Sequence, residues 1–476
     1  MPTRTPHRVN RREFVQATAV LGTGVATAGL FGSLLPATAI AAEVPEKPVQ
    51  LAYGRTGLTV QVPDAANVIE PRWAPGVADE PEAIRAALRH PIQSQPLAAR
   101  VRPGDRVVVT HSDITRATPN DRILPVVLAE LESAGVRRDD ITLMNALGTH
   151  REQTANELRQ MLGDFIVDHY RCRQHNALDD ASLVRLETPS GTHRVRLNRE
   201  FMQADVRILT GFIEPHFFAG FSGGPKGVLP ALAGAESVLS NHGYAMIGHS
   251  QSSWGITEGN PIWEEMRDVA VLANPVFLLN VTLNASKQIT GVFAGDLVPA
   301  HASGCSFVRE TAMVGVDAPY DIVVTTNGGY PQDQNLYQTV KGMSAASRVV
   351  RNGGAIVMAA ACEDGMPEHG RYAELLARAG SPRRVLEMLG RPGFAEQDQW
   401  QVQIQAMIQL RADVYVYTEG LNDKQIRGAL FTPTRDVSRT VRGLRRKYGD
   451  KARVCVLPNG PQTIAYVRTM QDSNPR

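Results

Sequence analysis

From residue 106 onward, short runs of β-branched and aliphatic residues alternate with stretches whose apolar positions follow a helical period. Runs at 106–110, 141–147, 206–212, 276–281, 321–326, 355–361, 413–417 and 453–457 predict strands. After the first of these, Ile123, Leu124, Val127, Leu128 and Leu131 recur at three and four residues, which predicts a helix over 121–135 with Asp121 placed to cap it. Repeated strand, helix, strand units predict an α/β fold of mainly parallel sheets with helices on both faces. The length of 476 residues suits two such domains. The turn-like Val316-Asp-Ala-Pro319 lies where a second domain would begin. This places an N-terminal α/β domain at 43–312, a C-terminal α/β domain at 318–450, and a closing segment at 451–476 that returns toward the first domain. An active-site cleft is expected between the two domains.

The first 42 residues follow neither period. Arg11 and Arg12 precede an uncharged stretch, 17–35, that is only mildly apolar and is interrupted by Gly22, Gly24, Gly29 and Gly32. Small residues follow Pro36, with Ala39-Ile-Ala41 as a cleavage option. This is the form of a twin-arginine signal peptide, which implies the twin-arginine export machinery as a partner and a periplasmic or extracellular destination. A membrane anchor is the alternative, but the Gly and Thr content makes insertion weak, and no later run is long enough for a stable membrane span. Because this route carries folded proteins, the address also hints at a cofactor acquired before export.

Charge narrows the partners. Lys plus Arg number 50 against 48 Asp plus Glu, a net +2, and loss of residues 1–42 removes four Arg and one Glu to leave −1. No basic footprint for nucleic acid results. The cysteines at 172, 305, 362 and 455 form no CxxC pair, so neither a disulfide framework nor a thiolate zinc site of usual spacing is expected.

Four segments concentrate polar and glycine residues at strand ends. His111-Ser-Asp-Ile-Thr-Arg116 follows the first strand; Arg116 offers a planar fork for a carboxylate, or pairs at the surface with Asp113. Gly148-Thr-His150 ends the second strand, where His150 is either a hydrogen-bonded structural residue or a proton exchanger. The segment from Gly211 through His216 to Gly220-Phe-Ser-Gly-Gly-Pro-Lys226 demands a tightly turning backbone that approaches something closely. It lacks the Walker spacing, and no Ser or Thr follows Lys226, so a phosphate loop of that kind is disfavoured and Lys226 becomes a candidate covalent attachment point. Ser240-Asn-His242 holds one histidine, and a metal bound by a single protein ligand must draw its other ligands from a cofactor.

Together with Asn335-Leu-Tyr-Gln338-Thr-Val-Lys341 and Asp398-Gln-Trp400, these segments resemble the nickel-dependent lactate racemase family, in the same order and over nearly the whole chain after the signal. The resemblance implies a nickel pincer nucleotide, a pyridinium-derived mononucleotide bound covalently through Lys226, with His242 ligating nickel. It implies His150 and His216 as the paired acid/base histidines, Arg116, Gln338 and Lys341 as substrate-binding groups, and Asp113 and Trp400 as residues lining the site. It also implies maturation enzymes that supply the cofactor. Ala117 and Ala231 depart from the family's usual Pro and Gly. The expected function is an exported 2-hydroxy-acid racemase or epimerase working by proton-coupled hydride transfer. A periplasmic organic-anion binding protein without turnover is the alternative; it would need cations but no pair of proton exchangers.

Overall fold

The computed structural model describes residues 45–186, 195–367 and 370–468. The expected signal peptide at 1–42 and the last residues of the closing segment lie outside these. Among the described residues, no helix is long and apolar enough to cross a membrane. The four cysteines are unpaired.

The first sheet has six strands in the spatial order Ile289–Gly295, Phe277–Leu283, Val206–Phe212, Val107–His111, Ile141–Asn145 and Arg171–Gln174. All neighbours are parallel except the Ile289–Gly295 edge, which runs antiparallel. Val107–His111 and Ile141–Asn145 are buried at every position, as strands covered by helices on both faces must be. The helices Glu80–Arg89 and Asn120–Ser133 bury Ile84, Leu88, Ile123, Leu124, Val127 and Leu131 against one face.

The second six-stranded sheet is parallel throughout, in the order Thr432–Thr434, Ala412–Tyr417, Val350–Ala359, Tyr320–Thr326, Val454–Leu457 and Asn67–Val68. In each sheet the chain first winds outward from one strand and then returns to that strand's other side. The reversal falls between Val107–His111 and Val206–Phe212 in the first sheet, and between Tyr320–Thr326 and Val454–Leu457 in the second. Ligands bind at the carboxyl ends of strands at such reversals.

Three sequence expectations need correction. Residues from 43 were assigned to the first domain, yet the hairpin Glu46–Leu51 and Leu58–Pro63 packs on the second sheet. Its inward Val49, Leu51, Val60 and Val62 find an apolar partner surface in Ile322, Val324, Ala355 and Val357. The closing strand Val454–Leu457 likewise joins the second sheet rather than the first. Only Ile464–Val467 returns, and it pairs with the connecting strand Met313–Val316. Finally, Asp121 does not cap its helix. Pro119 occupies the N-cap, and Asn120 and Asp121 lie in the first turn, where the Asn120 amide bonds the Ser112 carbonyl at 3.0 Å.

Candidate active site

The carboxyl ends of both sheets face one cleft with a cavity of about 140 Å³. From the first half, Asp113, Arg116, His150, His216, Lys226 and His242 line it; from the second, Gln338, Lys341 and Trp400 do. The structure therefore brings every sequence candidate to one place.

The turns after Val107–His111 and Ile141–Asn145 carry the first two groups. Asp113 is buried, and its Oδ1 accepts from the Thr115 amide at 2.9 Å and hydroxyl at 2.6 Å. Its Oδ2 lies 2.5 Å from His150 Nδ1. Burial works against the carboxylate charge, but His150, Arg116 and the Thr115 bonds outweigh it and hold the Asp113 carboxyl well below the usual range. An ionised carboxylate only accepts, so His150 Nδ1 carries a proton toward Asp113, and it is Nε2 that holds the lone pair whenever the ring is neutral. The surface pairing of Arg116 with Asp113 weighed above gives way to this buried pair.

The glycine-rich segment follows Val206–Phe212. Gly223 and Gly224 have φ of +74° and +52°, and a Cβ on Gly223 would stand 2.5 Å from Asn280 Oδ1. That same oxygen accepts from the Gly224 amide at 2.7 Å. The close approach fixes the single turn Gly224–Gly227, from which Lys226 reaches into the cleft. Its Nζ has no hydrogen-bond acceptor among the described residues and sits 5.4 Å from the centre of the Phe218 ring. Burial, reinforced by the neighbouring Arg116 and Lys341 charges, pushes this amine well below the usual lysine range.

His216 and His242 flank the same Phe218 edge-on, with ring centres 4.5 and 4.9 Å away. Burial first, then the cations Lys226, Arg116 and Lys341, hold His216 well below its usual range. Its Nδ1 accepts from the Ala219 amide at 3.3 Å, so the proton of the neutral ring resides on Nε2. The two rings are thus oriented oppositely: as neutral imidazoles His150 would present a lone pair on Nε2 and His216 an N–H.

His242 caps the helix Ala235–Asn241, and its ring packs edge-on against Trp400 at 5.2 Å. Burial and Lys226 keep it neutral, and Nδ1 is sealed from solvent with no hydrogen-bond partner. Among the described residues, no group of three or more His, Cys, Asp and Glu stands ready to hold a metal. A metal here would take its only protein ligand from His242, which fits a cofactor that brings the remaining donors.

From the second sheet, the helix Leu336–Ser347 presents Gln338 and Lys341 on one face, three residues apart. Burial and the Arg116 charge, partly offset by Glu214 and Asp113, bring Lys341 down to about 7. Trp400 opens the helix Gln399–Arg411, and its indole N–H donates to the Tyr337 hydroxyl at 2.8 Å. Sequence reasoning missed Phe218, Asn280 and Tyr337. Phe218 and Tyr337 stand within the motifs it quoted, whereas Asn280 comes from a separate strand and had no local signal.

A buried carboxylate–histidine pair, a lysine shifted toward neutrality and two further basic side chains share one cleft between α/β sheets, the kind of surroundings in which catalytic groups cluster. The lactate racemase N-terminal domain family model matches residues 53–255, and the lactate racemase C-terminal domain model matches 316–465. The lactate racemase of Thermoanaerobacterium thermosaccharolyticum is 32% identical, covering 87% of this chain and 98% of that protein. The lactate racemase of Lactiplantibacillus plantarum is 34% identical with the same coverage. The solved lactate racemase apoprotein from T. thermosaccharolyticum superposes with a TM-score of 0.80 at 33% identity, over 89% of this chain and all of that one. A Thermotoga maritima protein at 17% identity shares the fold, with a TM-score of 0.64 over 83% of this chain and all of its own. The chain belongs to the lactate racemase family and is an isomerase.

Proposed function

We propose that this enzyme racemises or epimerises a small 2-hydroxy acid at its α-carbon, using a nickel pincer nucleotide carried on Lys226. The observation that carries this reading is the meeting of a neutral Lys226 with no acceptor among the described residues, a His242 whose Nδ1 has no partner, and two histidines oriented oppositely by their hydrogen bonds in one cleft. Its relatives named as lactate racemases support the substrate class.

Arg116 and Lys341 hold the substrate carboxylate by charge-assisted hydrogen bonds, and Gln338 adds a neutral donor beside them. His150 Nε2 takes the hydroxyl proton, and the ionised Asp113 stabilises the imidazolium that forms. His216 exchanges the corresponding proton for the enantiomer. The nucleotide, when bound, supplies the reversible hydride acceptor that lets the α-carbon lose and regain its hydrogen. Lys226 Nζ has a free lone pair for the covalent link, and a thioamide nitrogen carries no charge, so attachment keeps a third cation from forming beside Arg116 and Lys341.

The test is intact-mass spectrometry with metal analysis on protein purified from its producing cells. A mass excess on the peptide containing Lys226, together with nickel, is the expected result, and an unmodified lysine without nickel would overturn the cofactor assignment. For His242→Ala, nickel content is expected to fall well below one per chain while the Lys226 adduct persists; a wild-type nickel content would remove His242 from the ligand role.

Lys341 makes the reading pH-dependent. It is cationic below pH 7 and loses its proton above, so binding a carboxylate at higher pH must also take up a proton. KM is expected to rise by as much as about tenfold per pH unit above 7, and Lys341→Arg, always protonated, to flatten that rise. An equally steep profile in Lys341→Arg would assign the dependence to another group.

Export by the twin-arginine route is part of the proposal, supported by Arg11, Arg12 and the uncharged 17–35 stretch. Retention of an Arg11→Lys/Arg12→Lys variant in the cytoplasm is the expected result of cell fractionation.

A further inference from the structure

The turn that carries Lys226 is backed by a histidine outside the cleft. His301 lies on the helix Leu297–Ala312 and is fully buried. Its Nε2 stands 2.9 Å from the Ser222 carbonyl. A carbonyl only accepts, so Nε2 bears the proton and donates it. The ring face meets Gly224 so closely that a Cβ there would lie 2.4 Å from His301 Cγ. Behind, the ring stacks on Trp263 at 6.2 Å between centres, with only 15° between the planes, and Cys305 one turn along the helix touches it through sulfur at 3.4 Å. The ring therefore has one fixed place. Burial keeps it neutral, down to about 4, so it serves as a donor and takes no part in charge exchange.

Ser222 is in turn tied to the end of the strand Val206–Phe212. Its hydroxyl donates to the Phe212 carbonyl at 2.9 Å and accepts from the Glu214 amide at 2.9 Å. Residues 222–224 are thus clamped from three sides, by the strand end, by Asn280 and by His301. Lys226 begins two residues later. A rotation of the Ser222 peptide would swing Nζ away from Phe218 and the two cations.

We propose that His301 is a positioning residue for Lys226, fixing through the Ser222 carbonyl and the face of Gly224 the turn that aims the lysine amine into the cleft. The inference rests on the proposed role of Lys226, but its test does not. The full-length chain made without cofactor is treated with formaldehyde and a borane reductant, and methylation at Lys226 is followed by peptide mass. In parallel, the Lys226 adduct is quantified on protein from the producing cells. His301→Phe keeps a ring behind Gly224 and removes the donor. His301→Gln restores an N–H at the place of Nε2.

Lys226 methylation and adduct loading are each expected to fall about tenfold in His301→Phe and to recover to within about twofold of wild type in His301→Gln, while other lysines label unchanged. Cys305→Ala, which removes only the thiol beside the ring, is expected to behave as wild type. Wild-type labelling and loading in His301→Phe would overturn the proposal, as would equal impairment of the Phe and Gln variants with matching losses in Tm, since that is the mark of packing alone. Should Phe not fold, His301→Leu takes its place in the comparison. A wild-type chain with neither adduct nor nickel would sink the proposed function, and the methylation rates would still decide the positioning role.

Discussion

Lys226→Ala is expected to abolish both the mass adduct and turnover, the largest loss that any single substitution in this cleft will cause. Desolvation is the reason. An amine buried beside Arg116 and Lys341 is pushed to lose its proton, and no carboxylate among the described residues pairs with it in compensation. A third cation placed there without pairing would cost stability, so selection for packing alone would favour an apolar side chain. The proposed attachment supplies what packing does not, a use for a neutral, nucleophilic nitrogen at this position. Removing it is expected to leave folding intact or slightly improved, so a Tm at or above wild type should accompany the complete loss of adduct. Lys226→Arg separates charge from nucleophilicity: it too should carry no adduct, and it should lower Tm because the guanidinium stays charged. An active, adduct-bearing Lys226→Ala enzyme would refute the attachment point.

How much of this was written in the sequence differs between scaffold and site. The buried strands were legible because every residue of Val107–His111 and all but Arg207 of Val206–Phe212 are buried, giving runs rich in β-branched and aliphatic residues. The edges were not. Arg171–Gln174 is Arg-Cys-Arg-Gln and alternates between exposed and partly buried positions, and Ile289–Gly295 carries two glycines, so neither stands out from a loop. The first hairpin alternates correctly, but nothing local says which sheet will receive its apolar face. The motif residues could be found because each follows a strand, and strand ends in a parallel sheet converge on one side. Their partners are another matter. That Asp113 turns to His150 rather than to the nearby Arg116, or that Asn280 holds the glycine turn, depends on chain segments brought together only by the fold.

The pairing of Asp113 with His150 leads to the second large effect. His150→Gln removes the only lone pair that this side of the mechanism offers to a substrate hydroxyl, and a loss of about 10² to 10⁴-fold in kcat is expected, with cofactor loading unchanged. Asp113→Asn should fall in the same range for a different reason. The amide keeps the size of the carboxylate, but its NH₂ can donate to Nδ1 and thereby drive the proton to Nε2, which leaves the cleft facing a donor where a base is needed. It also withdraws the negative charge that steadies the imidazolium. His216 sits in a different electrostatic setting, neutral through burial and cations, so His216→Gln should lower kcat for the two enantiomers unequally relative to His150→Gln, while kcat/KM falls by one factor in both directions because the equilibrium is fixed. The measurement is the initial rate at saturation from each pure enantiomer, followed by optical rotation, for all three variants. If His150→Gln and His216→Gln lower kcat in both directions by the same factor, the opposite orientation of the two rings has no catalytic meaning. If Asp113→Asn turns over normally, the buried carboxylate serves only to shape the turn that carries Arg116.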